Sequence, residues 1–255
     1  MTRNLLLICG ALIAPLLHAQ NCAGLAEVME KEQAPQFIDT IPKFFDVLVD
    51  ASYPKVAGKQ KSFGPLVKRG FDSALESKAA YQDFLATFEK QCSQSKLDAY
   101  VALTQTDLFR RMRQLDEAAT RPGTAAEFEA YRTQVYKDRP SEARLELIRR
   151  FERAVLHTDT VMTILTSFDA ACQRQFGNPP RDLGSVRTRL WQEMNLLHLF
   201  AYRTVSDEDY LLYVKLLEEP AARWFHQGYM MSLASVLQDR MTIAVRQMQR
   251  EAASR

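Results

Sequence analysis

Helix-breaking residues are scarce in this chain of 255 amino acids, which holds 9 glycines and 10 prolines. Alternating apolar and polar runs joined by hairpin turns are missing as well, which excludes an all-β fold. No CxxC pair is present, and the histidines do not stand at metal-ligand spacing with the cysteines, so the sequence offers no zinc motif. G-x-S-x-G, H-E-x-x-H, the Walker pattern and the dinucleotide glycine pattern are absent. No catalytic residue, metal ligand or cofactor is therefore expected from motifs, and a paired-carboxylate site could only assemble in space. Neither sign of charge is in excess: 33 basic residues face 31 acidic ones. That balance supplies no electrostatic reason to expect nucleic acid as a partner.

What the chain does hold begins with a leader. Arg3 provides a positive start, Leu5 to Leu17 an apolar run and Ala19 a small residue at a cleavage point, the pattern of a secretory signal over residues 1–19. The run is shorter than the roughly 20 apolar residues a bilayer span needs, and no later run is long enough. Cys9 follows Ile8 and Cys22 follows Asn21, so neither has the small preceding residue that lipidation requires. The expectation is a soluble protein, periplasmic or secreted after cleavage behind Ala19, with no transmembrane segment in its mature part. Residues 20–255 suffice for a sizeable core. Apolar residues at 47% and charged ones at 25% mark a folded globule rather than a disordered segment.

Helix formers dominate between breakers at Ser52-Tyr53-Pro54, Arg121-Pro122-Gly123, Arg139-Pro140 and Gly177-Asn178-Pro179-Pro180. The pattern predicts an all-α, multi-helix single domain, with helices near 35–50, 60–77, 79–92, 96–119, 125–136, 141–174, 184–203, 207–218 and 221–249. Thr124 with Glu127, and Ser206 with Asp209, have the spacing that caps a first turn. Pro140 and Pro220 fit first turns too, and Pro220 predicts a break between two helices at Glu219–Pro220.

A faint echo runs at an offset of 80 residues: Phe71 meets Phe151, Leu75 meets Val155, Leu85 meets Leu165, Phe88 meets Phe168 and Cys92 meets Cys172. Two related helical halves, 66–119 and 147–240, would explain it, and helical periodicity alone also produces such matches. The mature chain keeps Cys22, Cys92 and Cys172, which in an oxidising compartment suggests one disulfide and one odd thiol. Because Cys92 and Cys172 end the echoing segments, they are the expected pair, with Cys22 as the alternative partner.

The stretch Thr204 to Val236 resembles a family of small exported bacterial proteins catalogued as domain of unknown function twenty fifty-nine. Ser206, Asp207 and Glu208 match its helix start, Tyr213 and Leu216 its apolar turn, and Pro220, Ala221 and Arg223 the opening of its last helix. Glu219 stands where that pattern has Ser, and Ala222 where it has Gly. The resemblance implies an all-α fold and brings no activity to any residue here.

Individual residues read mostly as structure. Glu218-Glu219 and Asp207 with Asp209 lie at helix starts, where the dipole favours acids. His157 and Asp159, two apart on a helix, point to different faces and make a poor dyad. His198, within Leu196-Leu-His-Leu-Phe200, reads as a hydrogen-bonded core histidine. The basic clusters Arg110-Arg111-Met112-Arg113 and Arg149-Arg150, interspersed with acids, read as solvated faces. On the last helix, Phe225, Leu233, Val236 and Ile243 form one stripe. A second carries Met230, Met241 and Met248, whose flexible thioethers would suit a groove for an apolar ligand or partner helix. The expected function is non-catalytic binding of another envelope protein. A carrier of an apolar ligand held between helices is the alternative, and an unrecognised enzyme the third reading.

Overall fold

In the computed structural model, residues 22–52, 63–176 and 182–253 are described. They form twelve helices and, among the described residues, no strand. In chain order these are α1 (Leu25–Lys31), α2 (Ala34–Ser52), α3 (Phe63–Ala74), α4 (Ser77–Glu89), α5 (Gln94–Thr104) and α6 (Asp107–Ala119). There follow α7 (Ala125–Lys137), α8 (Glu142–Val155), α9 (His157–Phe176), α10 (Leu183–Ala201), α11 (Asp207–Leu217) and α12 (Pro220–Ala253). The leader 1–19 and the turns expected at Tyr53-Pro54 and Gly177 to Pro180 lie outside the described residues. No described helix is long and apolar enough to cross a membrane.

Local chemistry sets most starts. The hydroxyls of Thr106, Ser141 and Ser206 accept from the N–H groups of Phe109, Arg144 and Asp209 at 3.3, 3.1 and 3.1 Å, satisfying donors that a first turn leaves open. Thr124 behaves otherwise: its hydroxyl donates to the carbonyls of Ala119 and Arg121 at 3.0 and 2.9 Å, bracing the preceding loop instead of capping α7. Pro220 opens α12 at the expected break. Two stretches expected as single helices are split. Residues 96–119 part at Gln105-Thr106, where Thr106 leaves the helix to cap α6. Residues 141–174 part at Leu156, whose φ of 62° puts a branched side chain in the left-handed region.

Helix α12 is the axis of the fold: α9, α3, α4, α5 and α8 all pack on it. At 34 residues it reaches ~50 Å. One core forms where α12 meets α2, α3, α4 and α9, and its centre is a trio of rings: Phe45 and Phe71 lie 5.1 Å apart, with Phe168 5.3 and 5.2 Å from them. A second core joins α6, α8, α10 and α11 around Phe109, Ile148, Phe151, Phe200, Tyr210 and Val214.

Burial on so many sides overturns the expected binding face. Met241 and Met248 are 0% exposed within the first core, so these two are core residues and line no groove, while Met230 is half-buried. Met248 fits because Gly70 of α3 lies beneath it: a Cβ there would stand 2.6 Å from Met248 Cγ. Ile243, placed on the core stripe by helical projection, is 42% exposed, while Ser232, projected outward, is buried and accepts from Gln91 Nε2 at 2.9 Å.

The disulfide takes the alternative partner, Cys22, in place of the favoured Cys92–Cys172 pair. Cys22 bonds Cys92, with Cα atoms 6.1 Å apart, while Cys172 is a buried residue of α9 and takes no part. The bridge joins the chain just before α1 to the end of α4, where Gln94 Oε1 also accepts from the Ala23 N–H at 2.7 Å. The phenylalanine positions of the echo share their burial, but Phe71 and Phe88 belong to one core, whereas Phe151 and Phe168 are divided between the two.

Candidate functional site

At the seam between the two cores lies an open cavity of about 460 Å³, walled by α2, α6, α9 and α12. Its polar groups come from Glu32, Gln36, Asp116, His157 and His226, and its apolar surface from Phe37, Phe225 and Tyr229. Among the described residues, only Gln33 (φ 56°) and Leu156 (φ 62°) are non-glycine residues with positive φ. Gln33 lines this cavity, and Leu156 stands between two residues, Val155 and His157, that line it. Backbone held in such conformations costs on the order of 1–3 kcal/mol and collects at functional sites.

Behind His157 a polar cluster is buried. The end of α8 supplies Glu152, the start of α9 His157 and the last turn of α10 His198. Glu152 Oε1 accepts from the Thr158 N–H at 2.5 Å, so this carboxylate closes the first turn of α9. Its other oxygen lies 3.1 Å from His198 Nε2, and His157 Nδ1 lies 3.4 Å from the same nitrogen. The left-handed turn at Leu156 makes this possible, since it reverses the chain between Glu152 and His157 over a single residue. His198 is further fixed edge-on against Phe151, with centroids 4.7 Å apart. Burial raises the pKa of Glu152, but the hydrogen bonds from His198 and Thr158 and the nearby His157 outweigh it, and the carboxyl is held below its usual range.

Tyr202 and Tyr210 pack on Phe151 beside this cluster, and Tyr100 stacks on Phe225 in the first core. The hydroxyls of Tyr100, Tyr202 and Tyr210 are buried with no hydrogen-bond partner among the described residues, as are His198 Nδ1 and His226 Nε2. Burial raises all three phenols far above their ordinary value and lowers His226 to about 3. His157 is lowered by burial and by its neighbour His198. Near neutral pH, both His157 and His226 are uncharged.

One ion pair locks the seam. Arg113 Nη2 of α6 donates to Glu32 Oε1, just after α1, at 2.5 Å, and both groups are largely shielded. The other basic clusters are paired too: Arg110 with Asp107, Arg111 with Asp209, Arg149 with Glu146 and Arg150 with Glu218. The interspersed acids hold these bases as ion pairs, and Arg113 and Arg150 are partly shielded where solvated faces were expected. Asp159 faces away from His157 and binds Arg187.

A second opening of about 590 Å³ lies between α7, α8 and α10, lined by Val135, Tyr136, Pro140, Leu145, Trp191 and Leu196 among others. Helix α7 carries no buried residue and is held by Phe128 against Phe200 and by Arg132 to Glu193 at 2.7 Å.

Of the histidines, His198 is the buried, hydrogen-bonded residue expected, yet its partners were not foreseen. Glu152 and His157 lie 46 and 41 residues from it in the chain, and no spacing rule joins them. A buried acid, Glu152, beside a turn with no glycine or proline was the available signal, and it is a weak one. Compared with known proteins, the chain matches no family model, no curated protein and no solved structure.

Proposed function

We propose that the chain is an exported helical protein that acts by binding, and that its ligand enters the cleft between α2, α6, α9 and α12. The carrying observation is convergence: two neutral histidines and two carboxylates, from three helices and the turn after α1, meet over an aromatic floor in one cavity of ligand size. Among the described residues, Asp116 forms no ion pair, so its carboxylate is available to a ligand's cationic or hydrogen-bonding group. The Cys22–Cys92 bridge supports an oxidising compartment, in keeping with the leader. Catalysis by general base is the poorer fit, because a base near pH 7 is most effective with a pKa close to 7, and His226 lies at about 3. An apolar cargo fits less well than a polar one, since carboxylates and imidazoles share the walls. The test compares wild type with Thr40→Trp, a change on the exposed rim. Both are purified from the cell envelope, denatured and extracted, and the extracts are examined by mass spectrometry. A compound retained by wild type and lost from Thr40→Trp is expected; identical extracts from the two would overturn the reading.

A second reading, capture of another envelope protein, has one specific observation in its favour. Tyr136 is 80% exposed and Trp191 37% exposed beside the α7–α10 opening, and such rings are the common anchors of protein interfaces. Cross-linking from position 136, with Trp191→Ala as the control, tests it: a partner adduct that persists in that variant would count against the groove.

A further inference from the structure

We infer that Glu152, His157 and His198 form a binding site for a divalent transition-metal ion of the zinc class, at the back of the cleft. One ligand atom from each residue lies within 4.8 Å of the others. The measured edges are 3.4 Å between His157 Nδ1 and His198 Nε2, and 3.1 Å between His198 Nε2 and Glu152 Oε2. Metal–ligand bonds of about 2.0–2.2 Å in tetrahedral geometry place neighbouring donors ~3.3–3.6 Å apart, so the cluster needs little movement to close on an ion.

Proton counting favours the ion over an ordinary hydrogen-bonded core. His198 Nε2 faces both Glu152 Oε2 and His157 Nδ1. If it carries a proton, it can donate well to only one of them; if it carries none, it and Glu152 present two lone pairs to each other. A cation at the meeting point engages all three donors at once. Two imidazoles and one carboxylate are also a known ligand set for zinc with an open fourth position. His157 belongs to both the cluster and the cavity wall, so an ion held by the three donors would lie beside the cleft.

The donors are held before any ion arrives. Thr158 N–H fixes Glu152, the Phe151 ring fixes His198, and the left-handed Leu156 sets His157 at the head of α9. What the site lacks is an acceptor for His198 Nδ1, which has no partner among the described residues. Such outer partners are worth about 10–100-fold in affinity, so binding is expected to be weaker than at a fully braced zinc site. The inference goes beyond the proposed binding role and stands whether or not a small molecule enters the cleft.

The test uses the mature protein stripped by a chelator and titrated with zinc or cobalt salts alone. One ion per chain is expected, and cobalt should produce the intense visible bands of a low-coordinate site. X-ray absorption of the zinc form should show nitrogen and oxygen donors with imidazole scattering and no sulfur. His157→Phe, on the cleft wall, should weaken binding at least ~10-fold while the helical circular-dichroism signal stays intact. Thr40→Trp should bind metal as wild type does, which separates this site from the cleft's ligand. No stoichiometric ion, a sulfur-containing first shell, or unchanged affinity in His157→Phe would each overturn the inference. X-ray absorption on wild type keeps the question decidable if a variant misfolds.

Discussion

The core around α12 closes on hydrocarbon, with Phe45, Phe71 and Phe168 in mutual contact. The core around α8 closes over an arginine, a glutamate, a histidine and tyrosine hydroxyls. Of the buried polar residues, Arg144, Glu152, Thr158, Asn195 and His198 belong to α8, α10 or the start of α9; the first core buries Asp169 and Ser232. Arg144 shows how the second core is satisfied: it donates to the Tyr202 carbonyl at 2.6 Å and to Asp207 at 3.0 Å, and lies over the Tyr210 ring. Burying such groups gains less than burying apolar ones of the same volume, and leaving one unpaired costs several kcal/mol. Stability alone would favour the first kind of core throughout. The second keeps polar groups where the cleft meets it, which is the physical reason to look for function at the seam.

The sharpest way to break the comparison is a charge in the hydrocarbon core. Met241→Glu places a carboxylate where the side chain has no exposure, and loss of the cooperative thermal transition is expected. A folded Met241→Glu protein with native circular dichroism would return the methionine row to the surface. Next in size is the bridge. Cys22–Cys92 spans 70 residues, so its removal by Cys22→Ser with Cys92→Ser should cost up to ~4 kcal/mol in urea unfolding. Non-reducing peptide maps should recover the Cys22 and Cys92 peptides joined, and a Cys92–Cys172 peptide would contradict the pairing.

In the second core, Glu152→Ala removes the acceptor for Thr158 N–H and the partner of His198 together. A loss of about 3 kcal/mol is expected from denaturant midpoints, mostly through groups left buried without partners. A change under ~1 kcal/mol would mean that the cluster is wetter than its burial implies.

The smallest effect is one of pH. His226 has an ordinary value of 6.5 and is depressed to about 3 in the folded chain. The unfolded state therefore takes up the proton first, and this contribution to stability is complete above pH 6.5 and lost as pH falls toward 3. Asp116, Glu32, Arg113, His157, Tyr100 and Tyr229 surround it. His226→Gln should flatten the stability profile across that window while changing little at pH 8. An unaltered slope would show that other groups carry the acid sensitivity.

Much of the fold was legible because its determinants are local. Helix type follows from the scarcity of Gly and Pro, the Glu219–Pro220 break from a missing N–H, and the α11 start from Ser206. The cleft was not legible, since its walls come from α2, α6, α9 and α12, and an unbroken helical pattern over 141–174 hides the Leu156 turn that builds it.

By itself, then, the sequence determined an all-helical chain and most helix positions, because backbone propensity and capping act over a few residues. Tertiary structure alone decided which cysteines pair, since that depends on which helix ends meet. It also decided which stripe of α12 is buried, since helices surround it and projection assumes one wet side. And it alone brought Glu152, His157 and His198 to one point, because only packing sets the distance between side chains tens of residues apart.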